Sequence, residues 1–143
     1  MNRLLTLFDY RWPNFEPWEV LSSDGMRAWI DKGMFVLNLD ALNLLQRTRD
    51  LVGYPVHVNG YLGGKRGYRS SRENSMIRNS AEFSRHVAGD AFDISVSEMS
   101  TSDLFDAVTD IGWTGVKEYS NWVHVDLRPV PFGNVYRERL KDG

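Results

Sequence analysis

Two stretches of the chain carry apolar residues at the three- and four-residue spacing of an amphipathic helix. The first covers residues 40–52, where Asp40 is the expected N-cap and Gly53 the expected end. The second follows Ser100, its expected cap, and ends at Gly112. The apolar positions are Leu42, Leu45, Leu51 and Val52 in the first stretch and Leu104, Phe105, Val108 and Ile111 in the second. We therefore predict two helices, each with one buried side.

In three shorter stretches apolar residues alternate with mostly polar ones, which is the period of a β-strand with one apolar face. They cover residues 56–59, 91–96 and 122–128, and the last is expected to form a hairpin with residues 113–117. The residues expected on the less apolar face are His57, Asn59, Asp93, Ser95, Trp122, His124, Asp126 and Arg128. We predict an α+β fold, in which a small antiparallel sheet has helices packed on one face and a cleft on the other.

The remaining segments have no regular hydrophobic period. Residues 1–35 are rich in Trp, Pro and Phe and are expected to form an irregular wrap with one short helix at most. Residues 60–84 contain several glycines among polar residues and are expected to form one long loop. Because 143 residues is the length of one ordinary domain, we predict a single domain over residues 1–143 with its main part at 40–128.

Composition excludes several classes of function. The formal net charge of -2 gives no basic field for nucleic acid. The chain has no cysteine, so a metal can be held only by histidine and carboxylate side chains. No apolar run approaches the ~20 residues that span a bilayer. The apolar residues 4–8 are too few for a signal-peptide core, so we expect no export signal. We also expect the protein to be a monomer.

Three residues form a candidate metal site. His86 and Asp93 are separated by a segment that contains Gly89, which permits a tight turn back over the strand. His124 is expected on the same face of the sheet as Asp93. Two imidazoles and one carboxylate are a ligand set of catalytic zinc sites, in which water takes the fourth position. Since no HExxH helix is present, the spacing alone leaves open that both histidines are ordinary polar residues near a sheet edge.

The motifs around these residues resemble those of a known family. In chain order they are Gly67-Tyr68-Arg69-Ser70, Ser84-x-His86-x-x-Gly89-x-Ala91-x-Asp93 and Trp122-Val123-His124-Val125-Asp126. The ordered set is similar to zinc D-Ala-D-Ala carboxypeptidases, a family that includes phage L-alanyl-D-glutamate endolysins and shares its zinc fold with hedgehog signalling domains. The resemblance implies that His86, Asp93 and His124 bind Zn²⁺ in a single zinc peptidase domain.

The resemblance also implies catalytic roles. Arg69 matches an arginine that binds substrate and stabilises the oxyanion, and Arg66 competes for this role because an insertion separates Arg69 from the preceding strand. Asn121 stands where many members carry an acidic general base. Glu118 is therefore the favoured base, and Asp126 is expected to orient a ligand imidazole, with the base role as its alternative.

Two further residues belong to the candidate site without a catalytic assignment. Ser84 is expected to cap a loop or to support a metal ligand, because no nucleophile elbow surrounds it. His57 shares the expected cleft face and is predicted to be a structural histidine rather than a catalytic one.

The resemblance implies a zinc metallopeptidase that hydrolyses peptide stems of bacterial peptidoglycan with a zinc-activated water. It leaves open whether the bond is D-Ala-D-Ala or L-Ala-D-Glu, and whether cleavage is at the end or inside the stem. The alternative is a non-catalytic zinc-fold module that binds peptidoglycan or a protein partner. The glycine-rich insertion resembles phage-encoded relatives, so we expect a phage lysis or virion-associated protein, made in the host cytoplasm and acting on the cell wall.

Overall fold

The computed structural model describes residues 10–58, 68, 70–75, 85–86, 88–131 and 134–140. The helices are α1 (Pro17–Val20), α2 (Ser23–Lys32), α3 (Leu39–Val52), α4 (Ser71–Ser75) and α5 (Thr101–Thr109). The strands are β1 (His57–Val58), β2 (Ala91–Ser95), β3 (Gly115–Glu118), β4 (Val123–Asp126) and β5 (Tyr136–Glu138). The predicted α+β class is confirmed. In the described part of the chain, no helix has the length and apolar character needed to cross a membrane.

The strands form one five-stranded sheet in the order β1-β2-β4-β3-β5. All neighbours are antiparallel except β3 and β5, which are parallel. The register places Asp93 opposite His124, and His124 opposite Lys117 on its other side. Since directly opposed residues point to the same face, these three side chains share one face of the sheet.

The opposite face of the sheet packs against helices and forms the hydrophobic core. The sheet contributes Phe92, Ile94, Val116, Val123 and Val125, and the helices contribute Leu42, Leu45, Leu104, Phe105 and Val108. Trp113 is fully buried and its indole nitrogen donates to Thr48 Oγ1 at 2.9 Å, which ties the segment before β3 to helix α3. Packing in the core therefore fixes the positions of β2 and β4, the two strands that carry Asp93 and His124.

Helix α3 confirms the predicted helix except at its first residue. It begins at Leu39, and its N-cap is Asn38, whose side chain accepts a hydrogen bond from the Ala41 amide at 3.0 Å. The expected cap, Asp40, lies instead in the first turn, where its negative charge interacts favourably with the positive end of the helix dipole. Gly53 ends the helix as predicted, with a φ of 78°.

Other ends differ from the predictions as well. The cap at Ser100 is confirmed by its 3.0 Å bond from the Asp103 amide, but helix α5 ends at Thr109, before Gly112. Residues 10–35 are more regular than expected, because α2 is a ten-residue helix capped at Ser22, and residues 1–9 of the predicted wrap lie outside the described residues. The segment after residue 128 contains β5, an exposed strand that exists because its main chain pairs with β3 and so forms one edge of the sheet.

Candidate metal centre

The three predicted ligands reach one point from two strands and a turn. Asp93 on β2 and His124 on β4 are direct cross-strand partners. His86 lies in the turn before β2, where the Gly89 amide donates to the His86 carbonyl at 3.2 Å. Gly89 has a φ of 78°, and a Cβ there would lie 2.2 Å from the Val36 carbonyl oxygen. Only glycine allows the turn to approach that main chain so closely, and this approach carries His86 over the sheet.

The side chains form a compact buried cluster. One ligand atom from each of His86, Asp93 and His124 lies within 4.8 Å of the other two. His124 Nδ1 is 3.0 Å from Asp93 Oδ1, and His86 Nε2 is 3.4 Å from the same oxygen. The imidazole rings meet edge to face, with centroids 5.1 Å apart. All three residues are less than 9% exposed.

A second carboxylate holds the far side of the His124 ring. Asp126 is fully buried, and its Oδ2 lies 2.7 Å from His124 Nε2. Asp126 was predicted from the sequence to orient a ligand imidazole, and the structure brings the two groups together. With Nε2 bonded to Asp126, His124 presents Nδ1 to Asp93 and His86.

The electrostatics of the cluster favour charged carboxylates. Burial alone raises the pKa of Asp93, but hydrogen bonds with His124 and His86 outweigh it and hold the pKa well below its ordinary value. The pKa of Asp126 is also lowered: burial raises it, but hydrogen bonds with Arg128 and His124 lower it by more. Burial lowers the pKa of His124, whereas its bonds to Asp126 and Asp93 raise it, with a net increase. The cluster therefore concentrates negative charge around His124.

The donor set fits a zinc ion. Two imidazole nitrogens and one carboxylate oxygen are ligands that zinc accepts at catalytic sites, with a fourth position for water or substrate. Buried carboxylates are costly unless they are paired or coordinate a cation. The two imidazoles and the one carboxylate thus form a group that could hold a divalent metal ion.

Glu118 lies away from the cluster. It pairs with Val123, so its side chain is on the opposite face of the sheet from His124. Its carboxylate lies 3.4 Å from Thr101 Oγ1 and accepts from the Leu140 amide at 3.2 Å. Val123 is on the apolar face of β4, so the residue paired with it must also point to that face. The sequence alone does not show that this residue is Glu118, because it does not determine the hairpin register.

The other predicted residues divide into two groups. His57 pairs with Ser95 and shares the face of Asp93, but it is exposed on the edge strand β1 and is not part of the cluster. Ser84, Arg66 and Arg69 lie outside the described residues. Lys117 is the direct cross-strand neighbour of His124 and was not among the residues predicted to lie on this face. The alternation of β3 would have placed it there.

Together these features define a class: an α+β domain in which two strands and the turn before β2 bring together a buried His-Asp-His group that could hold a metal ion. A sequence model of the family described as Peptidase M15 matches residues 15–126, which include all three members of the group. The chain therefore belongs to the peptidase M15 family, as its motifs predicted. No curated protein matches the chain significantly. Family membership indicates a zinc-dependent peptidase with a peptide substrate.

Proposed function

We propose that the protein is a zinc-dependent peptidase that hydrolyses the peptide stems of bacterial peptidoglycan. The observation that carries the proposal is the buried cluster of His86, Asp93 and His124. His124 Nδ1 and Asp93 Oδ1 are 3.0 Å apart, and both residues are buried. If Nε2 holds the proton of a neutral His124, two lone-pair atoms face each other there, and a cation between them is favourable.

The chain's own residues would hold the metal from three directions. His86 would bind it from the turn before β2, and Asp93 and His124 from the sheet. Bound zinc supplies a Lewis acid and lowers the pKa of a water ligand towards ~7. Asp126 keeps the His124 ring in place by accepting from Nε2.

We propose that Arg69 binds the scissile carbonyl and stabilises the oxyanion. Its guanidinium provides a rigid fork of donors, which suits a developing negative charge. The residues on either side are anchored to the N-terminal part of the chain. The Tyr68 amide donates to the Val20 carbonyl at 2.8 Å, and the Ser70 hydroxyl is hydrogen-bonded to Asp24. Arg66 remains the competitor for this role.

Glu118 is not part of this proposal. Its carboxylate contacts Thr101 and the Leu140 amide on the other face of the sheet. Asp126 is also a poor candidate for the general base, because its two oxygens are engaged by His124 and Arg128. Substitution of Glu118 therefore tests the hairpin register, because only a different register would place its carboxylate at the metal site.

The proposal is tested with purified muropeptides analysed by mass spectrometry after incubation with the protein. We expect hydrolysis that a chelator abolishes and added zinc restores, with one zinc per chain by elemental analysis. His86→Ala should remove both zinc and hydrolysis. His57→Ala is the matched control, since it removes a histidine from the same face at the exposed edge strand, and it should retain both.

The masses of the products identify the bond. Loss of one terminal alanine indicates a D-Ala-D-Ala carboxypeptidase, and release of a stem lacking its first alanine indicates an L-Ala-D-Glu endopeptidase. One bound zinc with no change in any muropeptide would overturn the enzymatic proposal. That result would favour the alternative, a zinc-fold module that binds peptidoglycan or a protein partner without cleaving it.

A further inference from the structure

The segment that leaves β4 carries an arginine with no role in the proposed reaction. We infer that Arg128 is a positioning residue of the metal centre, which holds Asp126 in the orientation that fixes the ring of His124. The inference rests on the proposed zinc site and adds a residue that contacts none of its three ligands in the described contacts. It concerns how the site is built rather than which peptide is cut.

Arg128 grips both oxygens of Asp126. Its Nε donates to Oδ1 at 2.9 Å and lies 3.1 Å from Oδ2, while Nη2 donates to Oδ2 at 2.6 Å. The backbone amide of Arg128 adds a third donor to Oδ1 at 3.0 Å. A guanidinium bound in this way fixes the plane of the carboxylate as well as its position. Asp126 therefore has one orientation, in which Oδ2 points at His124 Nε2.

The fixed carboxylate in turn determines which face of His124 meets the metal. An ionised carboxylate only accepts hydrogen bonds, so the proton of a neutral imidazole is held on Nε2. The lone pair of Nδ1 is then directed at Asp93 and His86, where the ion would bind. Without the Arg128 side chain, Asp126 would keep His124 and the backbone amide of residue 128 as partners but lose the two guanidinium donors that hold both of its oxygens.

The surrounding chain makes room for this ion pair. A Cβ on Gly115 would lie 2.2 Å from Asp126 Oδ1 and 2.3 Å from Arg128 Nε, so a larger residue at this point of β3 would displace the ion pair. Glycine weakens a strand interior, and here its place is filled by the paired side chains of its neighbours.

The arginine is also covered from outside. The ring of Tyr136 on β5 lies under the guanidinium, with its centroid 4.3 Å from the Arg128 carbon Cζ. The Thr114 hydroxyl donates to the Arg128 carbonyl at 2.7 Å. The pair thus joins β4 to the segment that follows it and contacts Gly115 of β3 and Tyr136 of β5, unlike an exposed ion pair, which contributes little.

The inference is tested by zinc affinity, measured by competition with a chromophoric chelator in the absence of substrate. Groups that orient metal ligands typically change affinity 10–100-fold, so we expect Arg128→Ala to weaken zinc binding by roughly that factor. The absorption spectrum of the Co²⁺-loaded variant should differ from that of the wild type, because the ring of His124 is no longer held. Arg128→Lys should give an intermediate affinity, since an ammonium cannot bind both oxygens.

Arg139→Ala is the matched control. Arg139 also pairs with a carboxylate, Asp106, and lies over an aromatic ring, Phe105, but both of these partners are on helix α5. We expect its zinc affinity and Co²⁺ spectrum to equal those of the wild type. Thermal unfolding with saturating zinc shows whether each variant is folded.

Each result decides the inference separately from the proposed function. A folded Arg128→Ala with zinc affinity within twofold of the wild type would overturn it. If that variant does not fold, wild-type affinity and spectrum in Arg128→Lys would overturn it instead. A wild type that binds zinc without cleaving muropeptides overturns only the proposed function, and a wild type that binds no zinc overturns both.

Discussion

Alanine in place of Gly89 is expected to destabilise the turn that carries His86. Gly89 has a φ of 78°, and its missing Cβ position lies 2.2 Å from the Val36 carbonyl oxygen. Gly53 is a matched control because it has the same φ of 78° with open space around its Cβ position. The two variants therefore separate the cost of the backbone conformation from the cost of the close approach.

The expected magnitudes follow from these two contributions. A left-handed conformation costs a residue other than glycine about 1–2 kcal/mol, and both variants have this cost. Overpacking adds a further ~1–3 kcal/mol at position 89 only. The neighbouring chain cannot move away freely, because the Asn38 amide donates to the Gly89 carbonyl at 2.8 Å. We expect losses of about 1–2 kcal/mol for Gly53→Ala and about 2–5 kcal/mol for Gly89→Ala.

The assay is denaturant unfolding of both variants, followed by a zinc-affinity measurement on each. Because His86 lies three residues before Gly89 in the same turn, its imidazole should shift when the turn is displaced. Zinc binding should therefore weaken at least about tenfold in Gly89→Ala, the scale typical of a disturbed ligand, and remain at the wild-type value in Gly53→Ala. Equal losses of stability and of zinc affinity in the two variants would refute the reasoning.

Three other tests address the register, a helix cap and the metal. Glu118→Gln should keep zinc and hydrolysis and lose ~1 kcal/mol of stability, because its carboxylate contacts Thr101 and the Leu140 amide; loss of hydrolysis with zinc retained would reinstate it as the base. Asn38→Ala should cost ~1 kcal/mol in the same unfolding assay, and Asp40→Ala only a few tenths; equal costs would contradict the observed N-cap. Chelation should remove about 4 kcal/mol of stability relative to free zinc at roughly 1,000 times its Kd, seen as a lower Tm; an unchanged Tm would contradict zinc binding by the folded state.

Local pattern was sufficient for the main elements of the fold. The period of residues 40–52 predicts α3, and the alternation around Asp93 and His124 predicts β2 and β4. Both signals are strong because each element buries one side against the core. The short strand β5 has no such signal, since all three of its residues are exposed and only pairing with β3 makes it a strand.

The candidate site divides along the same line. The motif containing His86 and Asp93, with the later His124, is sufficient to identify the family, because these residue types in this order are specific. The position of Glu118 was not accessible in this way. A shift of one residue in the hairpin register exchanges the two faces of a strand, and the turn at residues 119–122 sets that register.

By itself, then, the sequence determined the α+β class, the family and the identity of the three candidate ligands. The fold class follows from the periodicity of short segments, and the family and the ligands follow from the resemblance of the ordered motifs to a known family. Only the tertiary structure decided that Arg128 pairs with Asp126 and that Glu118 lies on the opposite face from His124, because these contacts depend on the strand register and on the path of the chain after β4. The same register also brings Gly115 beside Asp126 and Arg128.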